Sequence, residues 1–182
     1  IAQAALIANV PVAHIHGGEI TEAAMDDAIR HAITKLSHLH FTANETYRQR
    51  VIQLGEQPER VFNVGAPGID NIKHLPLLNQ QQLSEALGLD DTKPYFLITY
   101  HPETLMGNSG LDSLNALIAA LDNFPSYDLL ITYPNADTYG QALIDRLELL
   151  KREQPHRVHL FQSVGQLKYL SAMKYCKAVV GN

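Results

Sequence analysis

The chain has 182 residues, 46% of them hydrophobic and 18% charged, enough for one ordinary domain or two small ones and too apolar for a disordered polypeptide. With 14 basic against 19 acidic residues the formal net charge is -5, and no Lys/Arg cluster is present, which argues against a nucleic-acid footprint. One cysteine, Cys176, excludes an internal disulfide and a CxxC zinc pair, and no apolar run reaches the roughly 18–20 residues that span a bilayer.

The chain opens in a helical stretch, Ile1–Asn9, and stops at Val179-Val-Gly-Asn182, where a strand meets a loop; both ends read as cuts through something longer. Between them, strand patterns at Pro11–Ile15, Leu39–Thr42 and Arg60–Val64 alternate with helix patterns at Met25–Leu36 and Glu45–Leu54. Gly65-Ala-Pro-Gly-Ile-Asp70 then reads as a turn cluster, followed by a polar stretch, Leu75–Thr92, that contains a helix pattern at Asn79–Leu87. Further strands are expected at Tyr95–Tyr100, Asp128–Tyr133, Val158–Phe161 and Ala178–Val180, with helices at Leu111–Asn123, Thr138–Arg152 and Val164–Lys174. This alternation predicts an α/β fold with a mainly parallel sheet, because parallel strands need helical crossovers. The continuously apolar Tyr95-Phe-Leu-Ile-Thr99 and Asp128-Leu-Leu-Ile-Thr132 fit strands covered on both faces. A domain boundary is expected near residues 65–70.

In an open α/β sheet, ligands sit outside the carboxyl ends of the strands, so polar residues just after strands are the candidates for chemistry. The first such place is His14-Ile-His-Gly-Gly-Glu19. His14 and His16 alternate along a strand and are expected to share a face, while Gly17-Gly18 allows a tight turn or a close backbone approach and presents Glu19. These three side chains are types that zinc accepts, but no fourth ligand has a recognisable spacing, and a sheet-edge or core role for the histidines is the simpler reading. Next come Met25-Asp-Asp-Ala-Ile-Arg-His31, where Asp26 with Arg30 and Asp27 with His31 are spaced to meet on a helix. Acidic residues in a first helical turn complement the helix dipole, yet the loop from Glu19 is short enough to return Asp26 or Asp27 to the Gly-Gly-Glu turn. There, gathered carboxylates can divide the duties of acid and base.

His101, with Pro102 stiffening the exit from a strand, is either a solvent-facing loop histidine or a donor aimed at a phosphate. Tyr133-Pro-Asn-Ala-Asp137, Phe161-Gln-Ser-Val164 and Gly181-Asn182 are short polar loops after strands, and the helices that follow such loops offer unpaired N–H groups to anions. No GxGxxG, GxxxxGK[ST] or GxSxG motif occurs, and Cys176, in an apolar passage, reads as an inert thiol.

Taken together, His14-Ile-His-Gly-Gly-Glu19 and Met25-Asp-Asp-Ala-Ile-Arg-His-Ala-Ile-Thr-Lys-Leu-Ser-His-Leu-His-Phe41 resemble the UDP-N-acetylglucosamine 2-epimerase family, most of all its hydrolysing branch, which serves sialic-acid synthesis. Gly65-Ala-Pro-Gly-Ile-Asp70, His101-Pro102, Pro134-Asn-Ala-Asp137 and Val180-Gly-Asn182 follow in the family's order, so the resemblance covers the whole chain. It implies two Rossmann-like domains facing across a cleft, as in glycosyltransferases of the B type. Residues 1–66 would be the C-terminal part of the N-terminal domain and 67–182 most of the C-terminal, UDP-binding one. Both domains would be incomplete here, and a fragment so cut is expected to be inactive alone.

The implied reaction converts UDP-N-acetylglucosamine to N-acetylmannosamine and UDP, through loss of the C2 proton, departure of UDP and addition of water to a 2-acetamidoglucal. The resemblance gives proton transfer to Glu19, Asp26 and Asp27, a diphosphate contact to His101, and orientation of the acidic cluster or the sugar to Arg30. Asn135, Asp137, Ser163, Val164 and Asn182 would line the UDP side. His16 stands where non-hydrolysing bacterial epimerases carry a catalytic glutamate, which favours the hydrolysing branch and leaves its own part in substrate binding open. No metal and no cofactor are implied, and the expected protein is a cytoplasmic dimer or tetramer with a UDP-sugar as its ligand and neither a nucleic acid nor a membrane as partner. The alternatives are a sugar-nucleotide-binding, glycosyltransferase-like module, the non-hydrolysing epimerase, and a metal-dependent hydrolase on His14, His16 and Glu19.

Overall fold

The computed structural model describes residues 1–21, 25–101, 110–134 and 140–181. These form two compact units, one ending at His74 and the other beginning at Leu75.

The first unit contains α1 (Ala2–Ile7), β1 (Ala13–Ile15), α2 (Asp26–Lys35), β2 (Leu39–Thr42), α3 (Glu45–Gln53), a 3-10 turn at Pro58–Arg60, β3 (Val61–Asn63) and α4 (Pro67–His74). Its sheet runs β1-β2-β3 with both pairings parallel. The helices start where their sequences favour it. Asp26 and Asp27 lie in the first turn of α2 with Lys35 in the last, matching the helix dipole. The Asn44 side chain caps α3 by accepting the Tyr47 N–H at 2.9 Å.

The pleat sorts the first sheet's residues. His14, His40 and Val61 lie in register across the three strands and are buried together with Thr34 of α2 and Val51 of α3. Neighbouring positions point the other way: Ile15, Leu39 and Phe62 are exposed, and the Phe41 and Phe62 rings stack at 5.6 Å.

The second unit contains α5 (Gln80–Leu87), β4 (Tyr95–Thr99), α6 (Leu111–Leu121), β5 (Asp128–Thr132), α7 (Gly140–Glu153), β6 (Val158–Phe161), α8 (Gly165–Tyr175) and β7 (Ala178–Gly181). An Asn79/Gln82 capping box opens α5. The four strands are parallel in the order β6-β5-β4-β7. All five residues of the central β5 are buried, as its apolar run predicts. One face packs Ile98, Leu129, Ile131 and Val158 against leucines of α6 and α7, and the other packs Leu97 and Leu130 against α5 and α8. Arg157, 5% exposed, closes the end of the sheet opposite the strands' carboxyl ends by donating to the carbonyls of Leu121, Phe124 and Tyr127.

Numbered from its own first strand, this sheet has the order 3-2-1-4, the first four strands of the doubly wound Rossmann order 3-2-1-4-5-6. Its direction of winding switches between β4 and β7, the place where such sheets bind ligands. Strand and helix expectations hold to within a residue or two over the described residues, with one exception. Gly65-Ala-Pro-Gly-Ile-Asp70 is not a run of turns. Gly65 turns the chain at φ +81°, and Pro67 opens α4 at a position where its missing N–H costs no intrahelical bond. Among the described residues no helix is long and apolar enough to cross a membrane.

Candidate functional site

A hollow in each unit collects several of the predicted residues. In the first unit a hollow of about 220 Å³ is bordered by His14, Ile15, His16, Asp26, Ile29, Arg30 and Ile33. It sits where β1 ends and α2 begins. β1 stops at Ile15, and His16 takes a left-handed conformation (φ +65°), so the two histidines do not share a face through strand alternation. They reach the same hollow by different routes, His14 from the buried side of the strand and His16 from the turn.

The His14 ring is held by Thr34, with Nδ1 3.2 Å from Oγ1. The Thr34 hydroxyl spends its own proton on the Arg30 carbonyl at 3.1 Å, so His14 must carry its proton on Nδ1, leaving the Nε2 lone pair free to accept. Burial lowers the His14 pKa, and electrostatic interaction with His40, Arg30 and His16 lowers it further, which favours the neutral ring. His16 instead pairs with the carboxylate it precedes, its Nδ1 2.7 Å from Glu19 Oε1.

The turn itself is clamped. Arg30 donates to the Glu19 carbonyl at 3.2 Å and to Thr21 Oγ1 at 3.1 Å, and Arg50 of α3 donates to the Gly18 carbonyl. The ion pairs on α2 differ from the expected pattern. Asp27 meets His31 at 3.6 Å as predicted, but Arg30 lies 4.0 Å from Asp27 and forms no ion pair with Asp26, because its guanidinium is directed to the Glu19 loop. Among the described residues no group of three or more His, Cys, Asp or Glu converges as a metal site would require.

In the second unit a hollow of about 340 Å³ lies at the carboxyl ends of β4, β5 and β6, bordered by His101, Tyr133, Ser163 and Val164 among others. Its floor is a string of hydroxyls: Thr99 Oγ1 is 2.7 Å from Thr132 Oγ1 and 3.1 Å from the Tyr169 hydroxyl. Ser163 Oγ accepts the Gly165 N–H at 3.2 Å where α8 starts. A smaller hollow beside it, bordered by Thr99, Tyr169 and Gly181, marks the switch between β4 and β7. A Cβ at Gly181 would lie 2.2 Å from the Thr99 carbonyl oxygen, so only glycine allows β7 so close to β4 here.

The structure thus brings His16, Glu19, Asp26 and Arg30 to one neighbourhood, with Asp27 alongside on α2, and His101, Ser163 and Val164 to another. Asn135, Asp137 and Asn182, with Pro102 of the His101-Pro102 motif, lie outside the described residues. Cys176 is partly buried, and that burial raises the pKa of its thiol. Thr34, Arg50, Thr99, Thr132 and Tyr169 were not legible as site residues. Threonine at the last inward position of two adjacent strands is the only signal that could have pointed to any of them.

The profile of the UDP-N-acetylglucosamine 2-epimerase family matches residues 1–182. The chain belongs to this family. A Campylobacter jejuni relative named GDP/UDP-N,N'-diacetylbacillosamine 2-epimerase (hydrolyzing) is 40% identical over 182 residues, covering all of this chain and 47% of its own length. The polysialic acid biosynthesis protein P7 of Escherichia coli is 40% identical over 183 residues, covering all of this chain and 46% of its own. The chain spans about half the length of the curated relatives it matches. In fold it is similar to the crystal structure of Neisseria meningitidis UDP-GlcNAc 2-epimerase bound to UDP-GlcNAc, with a TM-score of 0.74 at 18% identity over 99% of this chain and 50% of that one. The fold class is therefore that of the 2-epimerases, α/β with parallel sheets.

Proposed function

We propose that the protein is a hydrolysing UDP-N-acetylglucosamine 2-epimerase that turns UDP-N-acetylglucosamine and water into N-acetylmannosamine and UDP. The observation that carries this reading is 40% identity along the whole chain to a relative whose name specifies the hydrolysing reaction. Residues 1–66 then belong to the end of an N-terminal Rossmann-like domain and the later residues to the UDP-binding one, for which the 3-2-1-4 strand order gives support.

The reaction has two halves. A base removes the C2 proton while the C1–oxygen bond to the diphosphate breaks, giving UDP and a 2-acetamidoglucal. Water then adds across C1=C2, its hydroxyl to C1 and a proton to C2 from the face opposite that of the first abstraction. Two proton transfers on opposite faces need two positioned groups, each typically contributing about 10²–10⁴-fold. Glu19, Asp26 and Asp27 are the candidates, with Arg30 fixing the backbone of the Glu19 loop. UDP departs as an anion, and preorganised donors stabilise it most effectively. His101 and the residues that open α8, Ser163 and Val164, take that part. Asn135, Asp137 and Asn182 complete the nucleotide side, and His16 acts near the sugar beside Glu19.

The name of the Campylobacter relative also favours a second substrate reading, a 2,4-diacetamido sugar nucleotide. Product analysis on the intact protein with both sugar nucleotides, and no acceptor, tests everything at once. Free 2-epimerised sugar and UDP in equal amounts are expected. An epimerised sugar still attached to UDP would mean the non-hydrolysing reaction, and no turnover without an acceptor would mean a transferase.

A further inference from the structure

The geometry points to Arg50 as a positioning residue for the Gly17-Gly18-Glu19 turn, an inference that rests on the catalytic part proposed for Glu19. Arg50 stands on α3, outside both hollows, and its sequence neighbourhood carries no motif. The Gly18 peptide nonetheless sits in a seat that α3 builds. Behind it, the Tyr47 carbonyl oxygen would lie 2.3 Å from any Cβ at Gly18, so the turn rests directly on helix backbone. In front, the Arg50 guanidinium donates to the Gly18 carbonyl across 32 residues of sequence. That guanidinium is itself steadied over the Tyr47 ring, 5.5 Å from its centroid.

Arg30 holds the next carbonyl along, that of Glu19. Two consecutive peptide carbonyls are thus each fixed by a different arginine from a different helix. The main chain on both sides of the Glu19 Cα is pinned, and the carboxylate is left to be aimed by His16. Arg50 touches no reacting atom in this arrangement. It acts through the peptide that leads into Glu19, where a displacement of about 1 Å can cost on the order of 10²-fold in rate.

Arg50→Met, which keeps the aliphatic length and removes the donor, should lower kcat about 10- to 100-fold in the intact protein and leave KM and the UDP dissociation constant within about twofold. Arg50→Lys restores a cationic donor but not the planar group over Tyr47, and should recover part of the loss. Amide hydrogen exchange over residues 16–21 should accelerate more than about tenfold in Arg50→Met with the rest of the protein unchanged, a readout that does not depend on turnover. Unchanged exchange and unchanged kcat would overturn the inference, as would a loss of kcat, UDP affinity and overall stability together. Failure of the underlying reading looks different: Glu19→Gln would then turn over at the normal rate while exchange in Arg50→Met still rises.

Discussion

Replacing Gly18 by alanine tests how tightly the Gly17-Gly18-Glu19 turn is seated. The new Cβ would lie 2.3 Å from the Tyr47 carbonyl oxygen and 3.0 Å from both the Tyr47 carbonyl carbon and Val51 Cγ2. None of these atoms is the loose end of a flexible side chain: two are helix backbone, and Val51 is fully buried. Relieving such an overlap by shifting a packed helix costs about 1–3 kcal/mol. Gly18 also has φ +80°, and an L-residue held in the left-handed region costs a further ~1–2 kcal/mol. The expected loss is therefore about 2–5 kcal/mol.

Gly65→Ala supplies the control, since Gly65 has nearly the same dihedral (φ +81°) with nothing within 4 Å of its Cβ position, so only the strain of about 1–2 kcal/mol applies. Urea unfolding of the intact protein, followed by circular dichroism, measures both. With a slope of about 2 kcal/mol per molar, Gly18→Ala should lower the midpoint by about 1–2.5 M and Gly65→Ala by less than about 1 M. Equal losses for the two variants would show that α3 yields freely to the added methyl, and the picture of a rigid seat would be refuted.

Glu19→Gln in the intact protein should reduce turnover about 10²–10⁴-fold while UDP affinity stays within twofold by calorimetry; turnover at the normal rate would remove Glu19 from the chemistry. His101→Ala should weaken UDP binding about 10- to 100-fold, the worth of a hydrogen bond to a charged group, and an unchanged dissociation constant would remove His101 from the phosphate site. Stability should fall in acid. Burial lowers the pKa of both His14 and His40, so the unfolded chain takes up protons first as the pH drops through about 6.5. The stabilisation from keeping these rings neutral is fully present above that pH and is lost on descending to the folded-state values. Urea midpoints at pH 7.5, 6.5 and 5.5 should decline in that order, and a flat profile would contradict it.

Much of the fold was written in the sequence because parallel strands covered on both faces leave long apolar runs. Tyr95–Thr99 and Asp128–Thr132 are unmistakable on that ground alone, and the helices between strands carry their own period. α4 was hidden by its composition, since glycine and proline mark turns in most settings and only the chain geometry shows Pro67 sitting at a helix start. Around the two hollows, the polar residues that follow strands were legible, Arg30 among them, whereas the strand-end threonine hydroxyls and the arginine contacts to backbone were not. Arg50 and Arg30 bind carbonyl oxygens, which every residue has, so nothing in the composition of the turn announces its partners. His16 misled for a related reason: alternation predicts a shared face with His14 only while the strand continues, and the left-handed turn ends it one residue earlier. Three histidines outside the hollows have structural partners. His40 meets Glu56 at 3.2 Å, His159 meets Asp128 at 3.2 Å, and His38 accepts the Val12 N–H at 3.2 Å.

The hydroxyl string under the second hollow has a bearing on how that hollow treats a guest. Thr99, Thr132 and Tyr169 each carry a group that can donate or accept, and the three are already linked to one another. Turning the three O–H groups together reverses the sense of the whole string without moving a heavy atom. The floor therefore has no fixed polarity of its own: it can show a donor to an oxygen or a lone pair to an N–H, whichever the guest presents. Selectivity in this hollow has to come from its rim, where main-chain groups such as those around Ser163 and Val164 cannot change their sign.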